Sequence, residues 1–210
     1  MSETNITVDY PIDQNPEHSA QGGIHEGISQ VIEGYQDWSV KHPFAATTAE
    51  TVAIFVAKKA VLAVGKKAGL RLGNGHEQQQ IDSAAKHPVM AITKAIIASP
   101  ILEEVVFRKY LTPMLKQKIA TTNESVSSTA ADQASVLLFA IGHLGNLATK
   151  KGRENSAIPV SPFIGGENYQ RLANTRGMSH AIGAHMLNNA LEVASVAPII
   201  SRNRPPKSKV

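Results

Sequence analysis

Apolar residues recur at three- and four-residue intervals along most of the chain, the period of an amphipathic helix. Ile28, Val31, Ile32 and Tyr35 predict a short helix over 25–40, broken by His42-Pro43. Val52, Phe55, Val56, Val61, Leu62 and Val64 predict a helix over 45–70, capped by Thr47 or Thr48, and supply its apolar face. Lys58-Lys59 and Lys66-Lys67 interrupt that pattern, and Gly73-Asn74-Gly75 marks a turn before a polar stretch to His87. Helical patterns resume over 88–98 and 100–118, as two helices or one kinked at Pro100. A Ser/Thr/Ala-rich connector follows over 120–131, and Asp132 is placed to cap a helix over 133–149. Residues 154–168 read as a long loop, 167–176 as a short helix and 178–196 as a last helix ending near Pro198. Strict apolar/polar alternation is absent, so the expected fold is an all-α helical bundle.

Within 99–113 two adjacent acids and an arginine sit in apolar surroundings. Ser99 can cap a helix with Pro100 at its first position, and Pro113 marks the expected end. Glu104 and Arg108, four apart, share a face and can pair. Glu103 is turned by about 100° from Glu104. The flanking Ile101, Leu102, Val105, Val106 and Leu111 predict burial, and a buried carboxylate is costly unless paired.

Charge divides the 210 residues unevenly. Residues 1–43 carry seven acids and one base, net −6, while the remainder carries 20 bases and 10 acids, net +10. The expected organisation is an acidic, partly disordered arm with a short helix (1–43), a helical domain (44–200) and a basic disordered tail (201–210). A basic body admits a nucleic-acid-binding reading, but its bases are dispersed and aromatics are few, so no nucleic-acid partner is expected. The chain has no cysteine, which excludes disulfides, thiol nucleophiles and Cys-based zinc sites. No signal peptide is apparent, because the first forty residues lack an apolar core. The longest uncharged run, Gln133–Thr149, contains His143 and Asn146, so hydropathy favours a soluble or peripheral protein.

Three sets of residues could carry chemistry: Glu103-Glu104 with Arg108; Phe139 with His143, and Asn146 beyond it; and His185 with Asn189. Each pairs residues at i and i+4 within apolar sequence, so each presents two side chains on one inward face. Small neighbours of the histidines, Ala140, Gly142, Gly183 and Ala184, leave room for close helix approach or for water. Together they fit hydrolysis, with a carboxylate or Glu–His couple to activate water and His or Asn donors for developing negative charge. Glu plus two His equally fits a metal triad, with Glu103, His143 and His185 as the candidate ligands of a divalent ion such as zinc.

The ordered set Glu-Glu-x-x-x-Arg, Phe-x-x-x-His, His-x-x-x-Asn on three helices resembles the CAAX protease and bacteriocin-processing (CPBP, or Abi) family, which includes the type II CAAX prenyl endopeptidases. The resemblance covers roughly 88–195. It implies an all-α intramembrane endopeptidase with a polar site between three core helices, acting on a peptide or protein substrate that can be prenylated. By resemblance, Glu103 activates water with help from His143. His185 and Asn189 stabilise the oxyanion or help hold a metal, and Glu104 and Arg108 brace the site. The resemblance implies membrane association, which hydropathy does not support. The alternative is a catalytically silent helical interaction protein with a mutually saturated polar core.

Overall fold

The computed structural model describes residues 16–70, 84–119, 124–143 and 159–202. Among them there is no strand, and the protein is an all-α helical bundle. The chain divides into two compact units, Met1–Pro43 and Phe44–Val210. The first unit contains helix α1 (Pro16–Lys41), which starts nine residues before the predicted 25. Its Ile28, Val31 and Ile32 are exposed, and Tyr35, Trp38 and His42 form a run of rings 5.9 and 5.8 Å apart.

The second unit contains α2 (Pro43–Lys67), α3 (88–118), α4 (Glu124–Gly142), α5 (Val160–Arg176) and α6 (Met178–Arg202). α4 starts well before Asp132, so that residue caps nothing. It lies mid-helix and accepts from Lys116, Gln170 and Asn174. α5 takes in residues 160–168 of the predicted loop, and α6 runs past Pro198 to Arg202. Between α5 and α6 only Gly177 breaks the helix, at φ +90°, a conformation that strains any other residue. The Gly73–Gly75 turn, Asn146 and residues 1–15 and 203–210 lie outside the described residues.

α3 is one continuous run with two π segments, Lys94–Ala98 and Val105–Leu111. Neither Pro100 nor Pro113 ends it, and Ser99 makes no side-chain cap. Each proline lies two residues past the end of a π segment. There the Ser99 and Thr112 amides reach back five residues, to Lys94 and Phe107. The wider turn takes up the hydrogen bond and the space that a proline denies to an α-helix.

α3 turns its Glu104–Arg108 face inward as expected, but leaves several of the flanking apolar residues, also expected to be buried, outside. α3 buries Pro100, Glu104, Arg108 and Thr112, one residue per turn, and exposes Ile101, Leu102 and Val106. α2 buries Ala46, Thr47, Thr51, Lys58 and Gly65, and exposes Val52, Val56, Val61 and Val64. Polar contacts join α2 to its neighbours. Arg176 holds Glu50 at 2.7 Å and Thr47 at 3.2 Å, Arg171 also pairs with Glu50, and Lys58 reaches α6. The apolar core is compact: Phe139, Tyr169, Leu172, Ala181 and Ala184, with Phe107 packed against it. No described helix is long and apolar enough to cross a membrane.

Candidate active site

The core ring Phe139 lies where α3, α4, α5 and α6 meet. Phe107 and Tyr169 meet it edge-on at 5.2 and 6.3 Å, and His143 tilts over it at 4.6 Å. The Arg108 guanidinium sits 4.6 Å from its centroid, a cation–π contact away from water. Gly166 allows this packing: a Cβ there would stand 3.0 Å from Phe139 Cδ1 and 3.4 Å from Val136 Cγ1.

All six candidate side chains gather beside this cluster. Glu104 is fully buried. Its Oε1 accepts from His185 Nδ1 at 2.8 Å, and its Oε2 lies 3.3 Å from Arg108 Nε. Arg108 Nη2 donates to the Gly166 carbonyl at 2.9 Å, which fixes the fork from a second helix. Burial pulls the Arg108 pKa below its ordinary value, with Glu104 pulling the other way. His185 thus stands between the two acids, because its Nε2 faces Glu103 Oε2 at 3.7 Å. Tyr169 stacks on the His185 ring at 4.3 Å and 15° and fixes its plane.

His143 approaches Glu103 from the end of α4. Its Nε2 lies 3.8 Å from Glu103 Oε2, and its Nδ1 is 2.8 Å from the Phe139 carbonyl. A carbonyl oxygen only accepts, so that Nδ1 carries a hydrogen. An ionised Glu104 imposes the same on His185. In the neutral rings both Nε2 lone pairs therefore face the Glu103 carboxylate. Glu103 Oε2 is itself buried and accepts no hydrogen bond. Burial raises the Glu103 pKa above the ordinary 4.5; the His185 charge opposes this and the Glu104 charge adds to it.

A cavity of about 60 Å³ opens against His143, His185, Tyr169 and Asn189. Asn189 donates to the Ala95 carbonyl, in the first π segment of α3, at 2.8 Å. Lys58, Asn188 and Glu192 close the cavity's far end. Lys58 is 1% exposed and donates at 2.7 Å to Asn188 Oδ1, with Glu192 Oε1 also at 2.7 Å. Burial drives the Lys58 pKa below its ordinary value, against the hydrogen bond it donates to Glu192. Burial would raise the Glu192 pKa, but hydrogen bonds from Lys58 and Lys59 outweigh it and lower the value.

Three of these residues were invisible to helical spacing. Tyr169 falls in a stretch that reads as loop and short helix, and Lys58 only interrupts the apolar pattern carried by the valines. Asn188, beside the selected Asn189, gave no signal beyond adjacency. His180 lies outside the site: its ring stacks on Phe44 at 4.6 Å, and neither nitrogen has a hydrogen-bond partner.

Among the described residues no group of three or more His, Asp or Glu side chains is arranged to hold a metal ion. Ligands at the usual ~2.0–2.1 Å in tetrahedral array stand about 3.4 Å apart. The separations of 3.7 and 3.8 Å at Glu103 are wider, so as placed the candidate ligands Glu103, His143 and His185 do not stand at metal-bound spacing.

The family model for Rce1-like type II CAAX prenyl endopeptidases matches residues 85–191, over half of the chain. The chain belongs to this family. The matched span of the Rce1-like domain includes all six candidate residues, from Glu103 in α3 to Asn189 in α6. No curated protein and no solved structure matches the chain.

Proposed function

We propose that the Rce1-like domain is an endopeptidase that hydrolyses one peptide bond of a peptide or prenylated protein, using a water activated by Glu103. One observation carries this reading: Glu103 Oε2, buried and accepting no hydrogen bond, faces the Nε2 atoms of His143 and His185 at 3.8 and 3.7 Å, and both histidines line the cavity. A water about 2.8 Å from each partner spans such gaps. It donates one hydrogen to Glu103 and one to the unprotonated Nε2 of His185, leaving a lone pair for the substrate carbonyl. As the water oxygen attacks the carbonyl carbon, its proton passes to Glu103. Asn189 has a second amide N–H beyond the one given to Ala95, and this is available to the developing oxyanion. Collapse of the tetrahedral intermediate breaks the C–N bond, and Glu103 returns the proton to the leaving amine. Glu104 and Arg108 touch no reacting atom; they hold His185 in its tautomer and place.

The test is cleavage of a farnesylated peptide, followed by mass spectrometry, with wild type and Glu103→Gln. The substitution keeps the shape and removes the base, so cleavage should fall about 10²–10⁴-fold with the thermal transition intact. Equal cleavage by both proteins would overturn the assignment of the base.

Two observations favour companion readings. The cavity holds water more readily than a peptide, which suits a catalytically silent relative; no cleavage by wild type, with Glu103→Gln as well folded, would establish it. The apolar outer faces of α2 and α3 suit association with a membrane surface, and flotation with lipid vesicles reads this directly.

A further inference from the structure

Lys58, on α2, lies outside the three motifs, yet it begins a directional chain of hydrogen bonds that ends at the active site. Its Nζ donates to Asn188 Oδ1 at 2.7 Å. Asn188 Nδ2 donates to Asn189 Oδ1 at 3.3 Å, and Asn189 Nδ2 donates to the Ala95 carbonyl at 2.8 Å. The two ends differ in kind. An ammonium only donates and a carbonyl only accepts. Each amide between them has one donating and one accepting end, so the termini together dictate which way both amides face. Because Lys58 must find an acceptor, Asn188 turns its oxygen to it and its NH₂ to Asn189. Asn189 then commits its oxygen to Asn188 and keeps its NH₂ for Ala95 and the cavity.

We infer that Lys58 is a positioning residue for the reaction, fixing through Asn188 the orientation in which Asn189 presents an N–H to the active-site cavity. The inference rests on the peptidase reading for its catalytic consequence, but the relay itself does not. Glu192 supports the arrangement: its two oxygens lie 2.7 Å from Lys58 and 2.5 Å from Lys59, so it anchors the ammonium from the side away from Asn188. Burial disfavours the charged lysine, and Glu192 opposes that loss. An uncharged amine could accept as well as donate, and the chain would then lose its direction.

Three variants separate positioning from support of the fold. Lys58→Met removes the donor at nearly constant length. Lys58→Arg keeps a donor-only cation. Asn188→Asp still accepts from Lys58 but cannot donate to Asn189, so it cuts the relay and leaves the lysine paired. Lys58→Met and Asn188→Asp should each lower kcat by about 100-fold, the lower end of what losing one oxyanion donor does. KM should stay within about threefold, since the lost contact forms in the transition state. Lys58→Arg should retain most of the rate, and the Lys58→Met/Asn188→Asp double variant should be no slower than either single one. Wild-type cleavage by Asn188→Asp would overturn the inference.

A second readout needs no turnover. The side-chain NH₂ resonances of Asn188 and Asn189, assigned by ¹⁵N NMR, should shift in Lys58→Met and hold in Lys58→Arg. The Asn189 NH₂ pair should also shift in Asn188→Asp. If wild type cleaves nothing, the peptidase reading fails, and these resonances alone decide the relay. Unchanged Asn188 and Asn189 resonances in Lys58→Met would overturn it.

Discussion

The Glu104–Arg108 pair can be tested against its own energetics. Glu104 is fully buried and Arg108 is 5% exposed. Glu104→Ala leaves the guanidinium with the Gly166 carbonyl and aromatic faces as its remaining support. Removing one partner of a buried ion pair costs about 3–5 kcal/mol, because the remaining charge stays desolvated. At roughly 2–4 °C per kcal/mol for a unit of this size, the midpoint should fall by about 6–20 °C. Arg108→Met should cost a similar amount, since it strands Glu104 and the Gly166 carbonyl together. The double variant Glu104→Met/Arg108→Met removes both charges and leaves similar volume, so most of the loss should return. The Gly166 carbonyl still lacks its donor, and about 1–3 kcal/mol should remain missing.

Urea unfolding of wild type, Glu104→Met, Arg108→Met and the double variant closes the cycle and yields the coupling energy, and a cleavage assay on the same samples separates stability from function. The restored double variant should not regain activity, because His185 Nδ1 no longer has the carboxylate that fixes its proton. Two results would refute the reasoning. One is a Glu104→Ala cost below about 1 kcal/mol, the level of an exposed pair. The other is simple additivity of the two single substitutions, which would mean that they do not share an interaction.

Other expectations follow from the same geometry. Because burial raises the Glu103 pKa and the base must be ionised, the acid limb of kcat/KM should lie above the ordinary 4.5; a pH–rate profile locates it. For stability the sign is opposite. A raised folded pKa favours the fold at low pH and is lost as pH rises through it, so Glu103→Gln should gain on wild type in thermal melts toward neutral pH and converge below about 4.5. Gly166→Ala should lose about 1–3 kcal/mol in urea unfolding, since the new methyl meets the Phe139 ring at 3.0 Å and the ring is hemmed in by Phe107 and Tyr169. Prior treatment with EDTA should leave cleavage unchanged, as the Glu103 separations do not suit a shared ion; loss of activity restored by zinc would overturn that expectation.

The candidate site was legible because it is built from local repeats. Glu104 to Arg108, Phe139 to His143 and His185 to Asn189 are each one helical turn, and a turn can be read from spacing alone. What spacing cannot supply is the partner on another helix. Tyr169 stacks on His185 from α5, and nothing within 160–176 distinguishes it, because that helix is polar along its length and offers no apolar period. Residues 154–168 read as loop because of two prolines and Gly165-Gly166. Pro100 and Pro113 misled for a different reason. Proline ends an α-helix by removing one hydrogen bond, but the π turns before them bond five residues back and let the helix continue.

Apolar periodicity and the acid–arginine spacing point to different faces of α3, and the second is the buried one. Hydrophobic periodicity identifies two faces of a helix, and the usual inference that the apolar one is buried assumes that no other group has more to lose. In α3 that assumption fails. Exposing Ile101 or Leu102 forgoes about 1.5–3 kcal/mol each. Separating Glu104, Arg108 and His185, already committed to one another across helices, would break a buried network whose single members are worth about as much or more. The stripe Pro100, Glu104, Arg108, Thr112 therefore turns inward, and the apolar residues are left outside. α2 follows the same rule: Lys58 and Glu50 reach their partners on α5 and α6, and the valines face away. In such a bundle the acids and bases set the rotation of each helix, so the candidate site and the fold are specified by the same residues. A substitution that makes α3 more regular in its apolar pattern, such as Glu104→Leu alone, should therefore destabilise the protein rather than improve its core.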